Sequence, residues 1–314
     1  MTPSPYVVET AGLTKRFGDR TVVRDVELQV PRGSAFGYLG PNGAGKTTLI
    51  RMLLGLTPAT SGSMRLLGLP VPERRSEALV RVGAIVEEPR FHGYLTGREN
   101  LEIVAAARGH DAARQIDGAI ERVGLARRAD DRVRTYSLGM RQRLGIARIL
   151  LADPELLILD EPMNGLDPAG IEETRILIRS LVAEGRTVVL SSHLLDEVEK
   201  TVDALAIVDQ GRIVVQGSIA DLTRGGPPTL VVASADNRRA GALLAPLRAV
   251  AGVAAQDGVL RVSLDGHASR ANEAIAEINR RLVEAGIPVY RLEPEHASLE
   301  QRFLEITSRL EEAA

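Results

Sequence analysis

The 314-residue sequence has no cysteine and no tryptophan, and only 3% of it is aromatic. Without cysteine there are no disulfides, no thiolate metal ligands and no cysteine nucleophile, a composition compatible with a reducing compartment. An excess of charge is missing as well. The 39 Lys and Arg residues nearly balance 41 Asp and Glu, so no global basic field draws the chain to nucleic acid or to anionic lipid, and no nucleic-acid partner is expected. Long apolar runs are absent too. No stretch approaches the roughly 20 apolar residues that cross a bilayer, and Met1 to Thr10 lacks the basic flank and apolar core of a signal peptide. The chain is expected to be soluble, with only a partner to hold it at a membrane.

What is present is an alternation of short Val-, Ile- and Leu-rich runs with longer helix-like segments. The runs Thr21 to Val26, Ala35 to Leu39, Leu156 to Leu159, Thr187 to Leu190 and Ala204 to Val208 read as strands buried on both faces of a sheet, hence a largely parallel α/β core. Thr96 with Glu99 forms a capping box, and Asp167 before Pro168 is an N-cap ahead of a first-turn proline, so helices are predicted from Arg98 to about Gly109, after Met140 and after Asp167. Gly225-Gly226-Pro227-Pro228 interrupts every period and reads as a boundary. Two domains are therefore expected, 1–225 and 226–314. The second has the order strand (Thr229 to Ala233), helix (Arg238 to Ala249), two strands around Asp257-Gly258, helix (Ser269 to Ala285), strand (Ile287 to Leu292) and a last helix from Ser298. That βαββαβ order suggests a small α+β, ferredoxin-like sandwich with an added terminal helix.

Gly40-Pro41-Asn42-Gly43-Ala44-Gly45-Lys46-Thr47, with Thr48 next in line, follows an apolar strand and opens a helix, the context that a GxxxxGK[ST] phosphate loop requires. Glycines let the backbone aim several N–H groups at phosphate, and the helix adds its positive end. Lys46 is expected on the β- and γ-phosphates of ATP and the Thr47 hydroxyl on Mg²⁺. Leu156 to Leu159 delivers Asp160 and Glu161 to the carboxyl end of a buried strand, where open α/β sheets bind ligands. Asp160 fits the outer Mg²⁺ shell, and Glu161 is placed to polarise the water that attacks the γ-phosphate.

Between and beyond these motifs stand Tyr136-Ser137-Leu138-Gly139-Met140, Asn164-Gly165-Leu166-Asp167 and Ser191-Ser192-His193. With them the chain, from about Tyr6 to Gly225, resembles the nucleotide-binding subunits of ABC transporters, with Walker A, signature, Walker B, D-loop and H-loop in the family's order. The resemblance implies a P-loop ABC ATPase domain with a helical subdomain. It further implies a dimer of two copies closing on ATP and a separately encoded membrane permease, which would hold the chain at the cytoplasmic face. By that resemblance Ser137 and Gly139 bind the γ-phosphate held by the second copy, although an ordinary N-cap is the structural alternative for Ser137. His193 bonds the γ-phosphate and orients water with Glu161. Asp167 speaks across the dimer or simply caps its helix. Phe17 stacks on adenine, simple packing being the alternative. Met140 and Leu138 depart from the family's usual Leu-Ser-Gly-Gly-Gln.

Glu87, in Val82-Gly-Ala-Ile-Val-Glu87-Glu88-Pro89, occupies the place of the usual Q-loop glutamine. A carboxylate only accepts hydrogen bonds and adds charge near the triphosphate, so Glu87 is expected to lean on Mg²⁺. An acid at this place resembles the bacitracin-resistance and lantibiotic-immunity branch of exporters, described as having an E-loop. The resemblance therefore implies export of an antibiotic, peptide or other amphiphile. A non-transport ABC-class ATPase acting on the ribosome or DNA is the alternative. Against it, the chain has one cassette, no charged inter-cassette linker and no long coiled coil between Walker A and the signature.

Overall fold

Apolar segments too short for helices and without polar alternation form the centre of the first part of the chain. The structure, a computed structural model, describes residues 4–224, 229–256, 258–265 and 271–295. It divides into two units, Met1–Ile219 and Ala220–Ala314. The first opens with β1 (Tyr6–Phe17), β2 (Arg20–Val26), β3 (Gln29–Pro31), β4 (Ala35–Leu39), α1 (Lys46–Leu53), β5 (Ser61–Leu66) and β6 (Leu69–Val71). Next come α2 (Arg75–Leu79), β7 (Val82–Ile85), α3 (Gly97–Arg108), α4 (His110–Arg114), α5 (Ile116–Arg122) and α6 (Leu138–Leu150). It ends with β8 (Leu156–Leu159), α7 (Pro168–Ala183), β9 (Thr187–Ser192), α8 (Leu195–Glu199), β10 (Ala204–Asp209) and β11 (Arg212–Ser218).

The central sheet has the order β11-β10-β4-β9-β8-β7. All its neighbours are parallel except the edge pair β10–β11. Every residue of β4, β8 and β9 is buried, as the unbroken apolar runs require. The register pairs Leu39 with Ser192 and Leu159 with Leu190, so the carboxyl ends of β4, β9 and β8 lie side by side along one edge.

The run Thr21 to Val26 belongs elsewhere. As β2 it pairs antiparallel with β1 in a second sheet, β2-β1-β5-β6, with β3 also on β1. Arg24 and Asp25 interrupt its apolar side, and only Val23 and Val26 are fully covered.

Helices α3 to α6 pack on one another. The capping box of α3 forms as predicted, Thr96 Oγ1 accepting from Glu99 N–H and Glu99 from Thr96 N–H. Helix α6 begins three residues before the expected start, because Ser137 caps it by accepting from the Met140 N–H at 3.2 Å.

After α9 (Ile219–Arg224), the second unit runs β12 (Thr229–Ser234), α10 (Asn237–Leu244), β13 (Val250–Gln256), β14 (Val259–Leu264), α11 (Ala271–Glu284) and β15 (Val289–Glu295). Its sheet has the order β13-β14-β12-β15, antiparallel throughout. Leu230, Val232, Leu260 and Val262 meet Ile278 and Leu282 of α11 in a separate core. Helix α10 is shorter than expected: Ala245 still has helical backbone angles, but Pro246 has no N–H to continue the ladder. The helix expected from Ser298 lies outside the described residues.

Candidate active site

Strand β4 delivers the chain to Gly40, where a side chain has no room: a Cβ there would lie 2.2 Å from the Val208 carbonyl oxygen. The turn closes at Gly45, whose φ of +98° and close approach to the Val22 carbonyl again admit only glycine. Helix α1 starts immediately afterwards, so its free N–H groups and positive end face the loop. Lys46 is 6% exposed. Its Nζ donates to the carbonyls of Gly40 at 2.8 Å and Pro41 at 3.3 Å.

Asp160 and Glu161 leave the adjoining edge at the end of β8. Ser191, fully buried at the end of β9, ties them together: its hydroxyl donates to Asp160 Oδ1 at 2.6 Å and accepts from the Glu161 N–H at 2.9 Å. Glu161 has φ +49°, in the left-handed region that a non-glycine residue occupies only at some cost. Held in this way, one carboxylate meets two partners, Lys46 Nζ at 3.2 Å through Oε1 and His193 Nδ1 at 2.9 Å through Oε2. The strand order predicts this meeting, since β9 carries His193 between β4 and β8.

Lys46, Glu161 and His193 line a cleft of about 470 Å³, while Asp160 and Ser191 are buried and not part of its lining. The loop contributes Asn42, Gly43, Gly45, Lys46, Thr47 and Thr48, and Glu161, Asn164 and His193 face them. A cleft that offers amides, an ammonium and two hydroxyls on one wall and a carboxylate–imidazole pair on the other suits an oligophosphate and a water nucleophile. Among the described residues no three acidic or histidine side chains converge as a self-sufficient metal cage.

Arg20 and Val22 of β2 complete the wall, and sequence reasoning singled out neither. The signal was the turn after Phe17, since the register sets Arg20 opposite Phe17. Asn164 also lines the cleft, although only Asp167 of its motif was named as a site residue. Phe17 is 52% exposed at the end of β1.

The other expected residues lie outside this lining. Ser137 caps α6, and Gly139 sits in its first turn. Behind them, burial pushes the Tyr136 phenol up, and its proton is donated to the Arg128 carbonyl at 2.6 Å. Asp167 caps α7 by accepting from Gly170 N–H at 3.0 Å. Glu87, at φ +65°, forms an ion pair with Arg51 in the last turn of α1 instead of facing the phosphate loop.

Residues 23–164 match the family model described as ABC transporter. The chain is 38% identical over 299 residues to the bacitracin transport ATP-binding protein BcrA of Enterococcus faecalis, covering 95% of each. It is 35% identical over 316 residues to the Nod factor export ATP-binding protein I of Ralstonia nicotianae, covering 98% of this chain and 95% of that one. Among solved structures, cbiO1 from Clostridium perfringens, part of the ABC transporter complex cbiONQ, superposes with a TM-score of 0.65. It is 25% identical and covers 70% of this chain and 91% of its own. No described helix is long and apolar enough to cross a membrane.

Proposed function

This chain belongs to the ABC transporter family as an ATP-binding subunit whose ATP hydrolysis drives transport, and on that premise we propose that Glu161 is the base of the reaction, His193 its positioning partner and Lys46 the phosphate ligand. The observation that carries the assignment is the double contact of the Glu161 carboxylate, with Lys46 at 3.2 Å and His193 at 2.9 Å. Phosphate oxygens compete with Oε1 for the Lys46 ammonium. As they win it, Glu161 loses its cation while His193 still holds Oε2, so Oε1 is free to accept a proton from water aimed at the γ-phosphate.

Thr47 and Asp160 are the residues that would hold Mg²⁺. The Thr47 hydroxyl faces the cleft, and Asp160, with Oδ1 engaged by Ser191, keeps Oδ2 for a water of the ion's shell. Held there, the ion would supply positive charge against the oligophosphate. Phe17, beside Arg20 at the rim, stacks on adenine.

Ser137 and Gly139 stand at the amino end of α6 outside their own chain's cleft, which supports assigning them to the γ-phosphate held by a second copy. Asp167 then lies at the junction of the two copies. The surface around Glu87 to Leu101 docks on a separately encoded permease, which keeps the subunit at the inner face of the membrane. In this reading Glu87, held by Arg51, serves coupling and is not a metal ligand. The bacitracin transport and Nod factor export relatives support an exporter of an antibiotic, peptide or other amphiphile. The sheet order of the second unit supports reading about 226–314 as a ferredoxin-like domain with a dimerising or regulatory role.

Replacing Glu161 by Gln keeps the shape and removes the base, so hydrolysis should fall by about 10²- to 10⁴-fold while ATP binding persists and an ATP-bound dimer accumulates. Near-normal turnover, or only monomers in sizing chromatography with ATP and Mg²⁺, would remove Glu161 from this role.

A further inference from the structure

The aromatic rim of the site is tied to the helix that carries the phosphate loop, and Lys15 is the side chain that joins that tie to the ring. Lys15 and Phe17 lie two residues apart on β1, so their side chains leave the same face of the strand. Lys15 Nζ sits 4.8 Å from the centroid of the Phe17 ring and donates to the Pro58 carbonyl at 2.7 Å. Pro58 belongs to the segment that leaves α1, where the N–H groups of Leu56 and Thr57 both return to the Arg51 carbonyl. Two further bonds fasten the segment to β1, from Arg16 N–H to Thr60 Oγ1 at 3.0 Å and from Thr60 N–H to the Thr14 carbonyl at 2.8 Å. The ammonium is therefore held from one side by backbone fixed to α1 and presents its charge to the ring on the other.

We infer that Lys15 is a positioning residue for adenine. It clamps one face of Phe17 by a cation–π contact and leaves the opposite face for the base. Because its anchor is the end of α1, the clamp sets the spacing between the base platform and the phosphate loop at the other end of that helix. The inference rests on the reading that Phe17 stacks on adenine and adds the residue that holds the ring in place. A half-exposed phenylalanine has no hydrogen bond to fix its plane, and only packing or a cation over its face can do so.

Calorimetry on the full chain with ATP and with inorganic triphosphate separates the possibilities. A cation–π contact at an exposed site corresponds to about a two- to fivefold change in affinity. Lys15→Met should therefore weaken ATP by that factor and leave triphosphate unchanged, while Lys15→Arg, which keeps a cation over the ring, should bind both as the parent does. In a Phe17→Ala background Lys15→Met should have no further effect on ATP, because the ring through which it acts is gone. Equal losses for ATP and triphosphate would reduce Lys15 to general charge attraction. Tighter ATP binding by Lys15→Met would mean that the ammonium covers the face the base needs. Either result, or an unchanged ATP affinity in Lys15→Met where Phe17→Ala weakens it, overturns the inference alone. Phe17→Ala binding ATP as the parent does would overturn the stacking reading, and the inference with it.

Discussion

Ser191 offers the sharpest test of how the two carboxylates are held. Its hydroxyl donates to Asp160 at 2.6 Å and accepts from the Glu161 N–H at 2.9 Å, with the residue 0% exposed. Ser191→Ala removes both bonds where no water can substitute without displacing sheet atoms. A lost bond to a charged group costs about 1.5–3 kcal/mol and a stranded N–H about 1 more, for a total of roughly 3 kcal/mol. At about 2–4 °C per kcal/mol for a unit of this size, the midpoint of thermal unfolding should drop by about 6–12 °C. Hydrolysis should fall at least about tenfold, because Asp160 and Glu161 lose their common anchor together. Ser192→Ala is the internal control. Its hydroxyl accepts the Leu194 N–H at 3.0 Å and touches neither carboxylate, so the change should cost about 1 kcal/mol and leave turnover near the parent's. Circular dichroism melts and steady-state ATPase assays on the three chains decide the matter. Ser191→Ala melting and turning over like Ser192→Ala would refute the shared-anchor argument.

Lys46→Ala removes the ammonium that the phosphates win from Glu161 and should weaken ATP by about tenfold or more in calorimetry, an unchanged affinity contradicting the loop's role. Mixing Lys46→Ala chains with Ser137→Arg chains should restore hydrolysis through one intact composite site, and no gain over either chain alone would count against a head-to-tail dimer. The exposed Glu87–Arg51 pair is worth at most about 1 kcal/mol, so Glu87→Ala should leave the melting temperature nearly unchanged while uncoupling hydrolysis from transport with the permease present. Glu87→Gln should hydrolyse ATP at a measurable rate. A Glu87→Ala chain that matched the parent in both ATPase and efflux assays would leave Glu87 as an ordinary loop residue.

The phosphate loop and Asp160-Glu161 were legible because each is a short motif that follows an unbroken apolar run, and a run with no polar alternation identifies a strand buried on both faces. Thr21 to Val26 shows where that reading fails. Four of its six residues are apolar or β-branched, but Arg24 and Asp25 mark an exposed side, and the strand pairs in the outer sheet. Pro246 carried a stop signal for α10 that the apolar period overrode. Contacts between distant residues left no trace in sequence. Glu87 meets Arg51 across 36 positions and Lys15 meets Pro58 across 43, and neither pair shares a motif. The same holds for Ser191, whose two bonds depend on β9 lying beside β8. The placement of Glu87 differs from expectation for a physical reason: a carboxylate takes the nearest guanidinium, which a glutamine at that position would not hold as tightly.

Helix α1 is eight residues long, so it spans about 12 Å. One end carries Lys46 and the phosphate loop; the other carries Arg51 with Glu87 on it, and the turn that anchors Lys15. The two ends are therefore little more than two helical turns apart. A tilt of roughly 5° about its carboxyl end would move the phosphate loop by about 1 Å, a displacement of the size that alters reaction rates about a hundredfold. On the proposed reading that Glu87 serves coupling, its ion pair with Arg51 joins the coupling loop directly to the helix whose other end holds the phosphate loop.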